Sequence, residues 1–278
     1  MKPIIQLLVS LFMFTFILTS LFGAGLGLTI REIAEPLKKM KFVFLALIAN
    51  FILIPAAAYL LSVLLKADPS MQAGLVILAC CGGAPFLPKL VGLGKGNIAS
   101  SIGLMVLLMV STVIFSPILL PYAIPGLSID PWAIARPQIL LMLLPLAIGL
   151  ALNAWRPSLA GRLKKIFDRI SSMSLIAWLI LAIFIDYHLV VSAYGTGVYN
   201  LTLLFTLATI VIAYLLGGSS RAERQVMVLG SGTRNIAAAL LIAAANFSDP
   251  RVVTVVMIGS LVQFVILFPL AYIQGRRS

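Results

Sequence analysis

Apolar residues run along this chain in long blocks, each about the length of a bilayer crossing and separated by short polar stretches. A membrane-spanning helix needs about 20 such residues. The pattern predicts nine helices, at 4–29, 42–65, 71–94, 98–124, 138–155, 172–193, 199–217, 225–246 and 252–274. The blocks are too long and too evenly apolar for barrel strands, which alternate over roughly ten residues. The expected fold class is all-α integral membrane, in a single transmembrane domain over residues 1–278. The opening Met1-Lys2 and the apolar run behind it resemble a signal peptide, but the run continues to Ile30. That is well beyond a signal core of roughly 7–15 residues, so it reads as the first helix.

Two blocks are broken near their middles. The third carries Gly82, Gly83, Pro85 and Pro88, and the eighth carries Gly230-Ser231-Gly232-Thr233-Arg234-Asn235. Proline removes a backbone donor and glycine leaves a helix poorly defended, so both runs are read as helix breaks. In hydrocarbon, such a break survives only where protein or a wet cavity covers the freed backbone groups. Two broken helices in corresponding places are the sequence mark of a transporter's binding site. The third and eighth blocks differ by five, an odd offset that reverses direction through the membrane, as inverted repeats require. Ala-Tyr-Leu-Leu recurs at 58–61 and 213–216, in the second and seventh blocks, with the same offset.

Composition narrows the class. The 278 residues are 62% hydrophobic and only 10% charged, where a soluble domain has about a quarter charged. A net charge of +12 would point to nucleic acid in a soluble protein. Here the basic residues sit in short loops, where they set topology instead, and no nucleic-acid partner is expected. The loops 30–41, 95–97, 156–171 and 218–224 and the C-terminal end share one side and hold fourteen of the 20 basic residues. Lys2, Lys66, Arg136 and Arg251 lie on the other. The expected orientation is N-terminus outside and C-terminus cytoplasmic, in a plasma (inner) membrane. The remaining two, Lys89 and Arg234, fall in the two broken helices.

Several segments resemble the bile acid:sodium symporter family. Leu21-Phe22-Gly23-Ala24-Gly25-Leu26-Gly27-Leu28-Thr29 is similar to its Met-Phe-Gly-Met-Gly-Leu-Thr-Leu signature. Ala49-Asn50-Phe51 with Pro55 resembles its Ala-Gln-Phe…Met-Pro segment. Cys80-Cys81-Gly82-Gly83 and Lys95-Gly96-Asn97 bracket the first break as the family's Cys-Pro-Gly-Gly and Arg-Gly-Asn do. Gly232-Thr233-Arg234-Asn235, leading to Asn246-Phe247, resembles its Gly-Met-Gln-Asn segment. The resemblance implies inverted repeats, a panel-and-core architecture and two broken helices crossing at mid-membrane. It also implies a nine-helix member rather than a ten-helix one.

The departures fall on the sodium sites that the resemblance implies. The family's glutamate and glutamine on the second broken helix correspond here to Gly230 and Arg234. Its serine and asparagine on the first correspond to Phe86 and Leu87. Another glutamine becomes Asn50, a serine is kept as Ser101, and a threonine becomes Met105. No carboxylate lies deep in a predicted helix; Asp186 is near the outer end of the sixth.

The candidate substrate-binding residues are Arg234, Asn235, Thr233, Lys89, Asn50 and Ser101. A central arginine costs roughly 2.5–3.5 kcal/mol on insertion scales, so it needs a reason. Arg234 reads as an anion site, as a permanent replacement for a bound cation, or as a bridge to carbonyls exposed at the first break. Lys89 can meet substrate or snorkel to the cytoplasmic surface. Small residues at the breaks can equally serve close packing, and Gln263 can line a cavity or join helices. Gly92-x-Gly94-x-Gly96 follows a membrane helix and is no nucleotide fingerprint. Neither His188 beside Asp186 nor the adjacent Cys80 and Cys81 forms a metal constellation, so no metal and no cofactor are expected.

The expected function is a secondary transporter moving a small organic anion, a carboxylate, by alternating access, with its coupling open between sodium at a changed site, protons and none. The alternatives are a sodium-coupled symporter with an altered ion site, and a membrane receptor or structural subunit that no longer transports. An enzyme is not expected, because no nucleophile–base pair is visible.

Overall fold

The computed structural model describes residues 2–124, 131–185, 191, 193–218 and 220–276. Among these, regular structure is helical throughout. The helices are α1 (Lys2–Leu26), α2 (Ile30–Leu37), α3 (Met40–Leu64), α4 (Pro69–Cys80), α5 (Leu87–Leu93), α6 (Ile98–Ala123), α7 (Pro131–Trp155), α8 (Pro157–Ile185), α9 (Val198–Leu216), α10 (Arg221–Gly232), α11 (Ile236–Asn246) and α12 (Pro250–Arg276). Seven helical segments among the described residues are long and apolar enough to cross a membrane, with α10 and α11 together as one. Exposed Leu60, Val211, Leu215 and Val265 are each more than half accessible, which suits a lipid-facing surface. The chain is an integral, multi-pass membrane protein.

Prolines decide the local form of two spans. Pro55 in α3 and Pro145 in α7 each deprive the preceding turn of a backbone donor. Just upstream of each, the helix widens into a π-turn, at Ala49–Leu53 and Ile139–Leu143. There the N–H of Ile54 reaches the Ala49 carbonyl, and that of Leu144 reaches Ile139. Such widenings re-satisfy freed groups and often occur at functional positions. The first carries Asn50, which is fully buried.

The helix starts follow capping chemistry. Asp68 accepts from the amides of Ser70 and Met71 at 2.9 and 3.0 Å, with Pro69 at the first position of α4. Asn97 caps α6 through the Ser100 amide, and Ser220 caps α10 through that of Glu223. At the start of α12, Asp249 accepts from the Arg251 amide and guanidinium and from the Ser70 hydroxyl. The Arg251 hydrogen bonds, with Ser70 adding to them, lower its carboxyl from 3.8 to about 2. What this group contributes to stability is complete above about pH 4 and is lost as pH falls through about 2.

Two departures from the sequence pattern stand out. Of residues 156–171, expected as a loop, all but Arg156 are helical and continuous with the sixth span in α8, because no proline or glycine pair stops the helix after Pro157. The third block is two helices with an irregular segment at 81–86, so Pro88 opens α5 instead of lying in the break. The expected Asp186 and His188 lie outside the described residues.

The chain divides into two compact units, one of residues 1–30 with 136–192 and the other of residues 31–135 with 193–278. The first is built on α1 against α7 and α8. Gly25 and Gly149 let the backbones of α1 and α7 touch: a Cβ on Gly25 would stand 2.3 Å from the Leu146 oxygen, and one on Gly149 2.5 Å from the Phe22 oxygen. This is small-residue packing, which drives helix association where no water remains to be excluded. The second unit encloses its two broken helices so fully that residues 226–243 and 73–84 are all buried.

Gly25→Val should therefore force α1 and α7 apart and cost about 2–4 kcal/mol, within the range for overpacked or strained sites. Gly161→Ala, on an open helical surface with nothing within 4 Å, should instead stabilise by about 0.5–1 kcal/mol. Unfolding midpoints of the purified protein in detergent check the pair.

Candidate functional site

The two irregular segments meet inside the second unit, and several of the backbone groups they free have named partners. The amide of Asn235 donates to the Cys81 carbonyl at 2.8 Å. The Asn235 side chain donates to the Gly83 carbonyl at 3.1 Å and accepts from the Ala238 amide, capping α11. Thr112 of α6 accepts from the Gly82 amide at 2.9 Å and donates to the Gly82 carbonyl at 3.1 Å. Helix ends inside a membrane must find such partners, since no water supplies them.

The first break takes its shape from Gly83. Its φ is +78°, and a Cβ there would lie 2.3 Å from the Met109 amide nitrogen. No side chain fits, because the backbone of α6 occupies the space. Gly230 and Gly232 act differently from the helix-breaking role expected of them. Both lie inside α10, and the irregular residues are 233–235. A Cβ on Gly230 would meet Leu104 at 2.6 Å and one on Gly232 would meet Leu267 at 2.8 Å, so both are packing glycines.

Arg234 is the one charged side chain at the crossing and is 2% exposed. Its Nη1 donates to the Ala79 carbonyl at 2.9 Å, and its Nη2 donates to the Asn50 side-chain oxygen. Its backbone amide donates to Gln263 Oε1 of α12 at 3.2 Å. Asn50 is fixed in turn, with its Nδ2 donating to the Ala46 carbonyl and to Ser231 Oγ, both at 2.9 Å. Ala79 belongs to the last turn of α4, where unpaired carbonyls give the helix end a partial negative charge. The guanidinium is thus held by neutral oxygens and a helix dipole, and no ion pair with a carboxylate is found among the described residues. Within this network two buried donors are without a partner among the described residues, Arg234 Nε and Gln263 Nε2.

The expected site residues divide into two groups. Arg234, Asn235 and Asn50 come together in this network. Thr233 is buried beside them, its hydroxyl turned back to the Leu229 carbonyl at 2.7 Å. Ser101 is buried in the first turn of α6 and bonds the Ile98 carbonyl. Lys89 is exposed on α5, outside this network. Cys80 and Cys81 are free and buried. No group of three metal-ligating side chains occurs among the described residues.

Thr112 and Ser231 escaped the sequence reading. Ser231 lies inside the interrupted run, but Thr112 sits in an unbroken apolar helix, where only its hydroxyl marks it. Ser111 and Ser116 nearby carry the same mark, so that signal is not selective.

Asn235→Ala should remove both the cap of α11 and the partner of the Gly83 carbonyl. A lost cap costs about 1 kcal/mol and an unpaired buried carbonyl about 1–3, so a loss of about 2–4 kcal/mol is expected. Asn246→Ala, which only releases a bond to the Ile242 carbonyl at the far end of α11, should cost under about 1 kcal/mol. Denaturation of both variants beside the parent distinguishes a cap from general sensitivity of the helix.

The Sodium Bile acid symporter family matches over residues 12–194. A probable sodium/metabolite cotransporter of Arabidopsis thaliana chloroplasts, BASS1, is 27% identical over 137 residues, covering 49% of this chain and 34% of that protein. A second from the same organism, BASS5, is 21% identical over 245 residues, covering 84% and 60%. YocS of Bacillus subtilis, an uncharacterized sodium-dependent transporter, is 25% identical over 131 residues, covering 47% and 41%. In each case the match spans less than two thirds of the relative's length.

Proposed function

The chain belongs to the sodium bile acid symporter family, and we propose that it is a secondary transporter moving a small organic carboxylate by alternating access, with the crossing of its broken helices as the working centre. The similar proteins are named as sodium/metabolite cotransporters or a sodium-dependent transporter, which supports the transport class. The division into two compact units supports the panel-and-core architecture that alternating access requires.

The observation that carries the reading is the position of the Arg234 guanidinium between the Ala79 carbonyl and the Asn50 oxygen. A carbonyl at a helix end and a side-chain amide oxygen are the ligands a hard cation takes. Here they hold a covalently attached cation. The positive charge that a sodium-coupled carrier acquires on binding its ion is, in this reading, permanent. The consequence is a carrier that keeps an anion-attracting centre without drawing on a sodium gradient. The amino end of α11 adds a positive dipole end for a carboxylate at the same crossing.

The test is counterflow in proteoliposomes. Vesicles preloaded with one unlabelled carboxylate from a panel of pantoate, oxo-acids and steroid acids should accumulate its labelled form, well above protein-free vesicles. Uptake should persist when sodium is replaced by choline. Saturable binding with no flux for any member of the panel would replace the carrier reading with that of a receptor.

A further inference from the structure

The long helix α8 carries a second pattern, unrelated to the crossing. At 1.5 Å per residue its 29 residues extend about 43 Å, against roughly 30 Å of bilayer hydrocarbon. One end must therefore pass through the headgroup layer. One side of α8 packs within its own unit. Ala160 and Trp178 are buried there, Phe167 meets Phe22 of α1 with ring centroids 4.7 Å apart, and Lys164 pairs with Asp168 at 2.5 Å. The opposite side is exposed from Arg162 to Ile180. Arg162, Lys165 and Arg169 lie on it at spacings of three and four, and they are followed on the same stripe by Met173, Ile176 and Ile180.

The stripe therefore changes character along one line. Over about 10 Å it presents three cations that no carboxylate neutralises among the recorded ion pairs. Beyond that, as far as Ile180, it is apolar, with Met173, Ile176 and Ile180 at 70%, 57% and 61% exposure. The basic stretch comes before the apolar one, as a phosphate lies above acyl chains in a lipid. All three cations are on the side expected to be cytoplasmic, the leaflet where anionic lipids attract juxtamembrane basic residues.

We propose that this face of α8 is a binding site for anionic phospholipid, with the lipid phosphate held among Arg162, Lys165 and Arg169 and its chains laid along Met173, Ile176 and Ile180. The lysine and two arginines supply the charge-assisted hydrogen bonds that phosphate oxygens take. The pairing of Lys164 with Asp168 confines the unneutralised charge to the outward stripe and so sets where the headgroup sits.

The experiment uses the full chain in nanodiscs of phosphatidylcholine containing a photoreactive phosphatidylglycerol or, in parallel, a photoreactive phosphatidylcholine. Cross-linked peptides are mapped by mass spectrometry. The phosphatidylglycerol probe should label peptides within 159–180 about tenfold more than the phosphatidylcholine probe, as expected for a site built on several cations. The excess should disappear in the triple variant Arg162→Gln, Lys165→Gln, Arg169→Gln and survive in Lys38→Gln, Lys41→Gln. Unlabelled phosphatidylglycerol should compete while inorganic phosphate should not, a comparison that needs no variant to fold. Equal labelling by both probes, competition by phosphate alone, or cross-linking of this face to a second copy of the chain would overturn the proposal.

Discussion

The burial of one guanidinium is the constraint around which the second unit is arranged. A charge taken from water into a low-dielectric interior is expensive unless hydrogen bonds and opposite charge or dipole return the lost solvation. Arg234 receives this from the carbonyl end of α4 and from Asn50, while its backbone amide is held by Gln263. Each partner depends on something else. The Ala79 carbonyl is free only because α4 stops at Cys80, and it stops because the chain must turn through Gly82 and Gly83. Asn50 is positioned by a π-turn that exists because Pro55 follows it. Removing the arginine would leave these acceptors buried and unpaired, each at a cost of about 1–3 kcal/mol.

Asn235 supplies the complementary part. It closes the two breaks on each other through the Cys81 and Gly83 carbonyls while starting α11. Adjacent residues thus divide the work: Arg234 answers the end of α4, and Asn235 answers the break itself. Thr112 holds that break from α6. With these groups satisfied, the crossing can be a rigid element of its unit.

Much of this was legible in the sequence. A charge in the middle of an apolar run, and glycines with prolines in another, mark both broken helices because hydrocarbon penalises each strongly. The pairing of Arg234 with Asn50 was not legible, since residues 184 positions apart carry no local signal. Gly230 and Gly232 were misplaced for a related reason: glycine for packing and glycine for a break look alike until the facing Leu104 and Leu267 are known. The extension of α8 was hidden by its charges. Hydropathy marks only the part in hydrocarbon, whereas the helix continues as long as its backbone bonds are made.

The central claim is that a fixed guanidinium takes the place of a bound sodium ion, and the unfolding midpoint in sodium chloride against choline chloride at equal ionic strength tests it most directly. An ion that binds only the folded protein at a hundred times its dissociation constant stabilises by about 2.7 kcal/mol, and by more as its concentration rises. With Arg234 in place, the two midpoints should coincide across the whole concentration range. A midpoint that climbs with sodium and not with choline would show that an ion site persists beside Arg234, and the guanidinium would then be a structural or substrate-binding group.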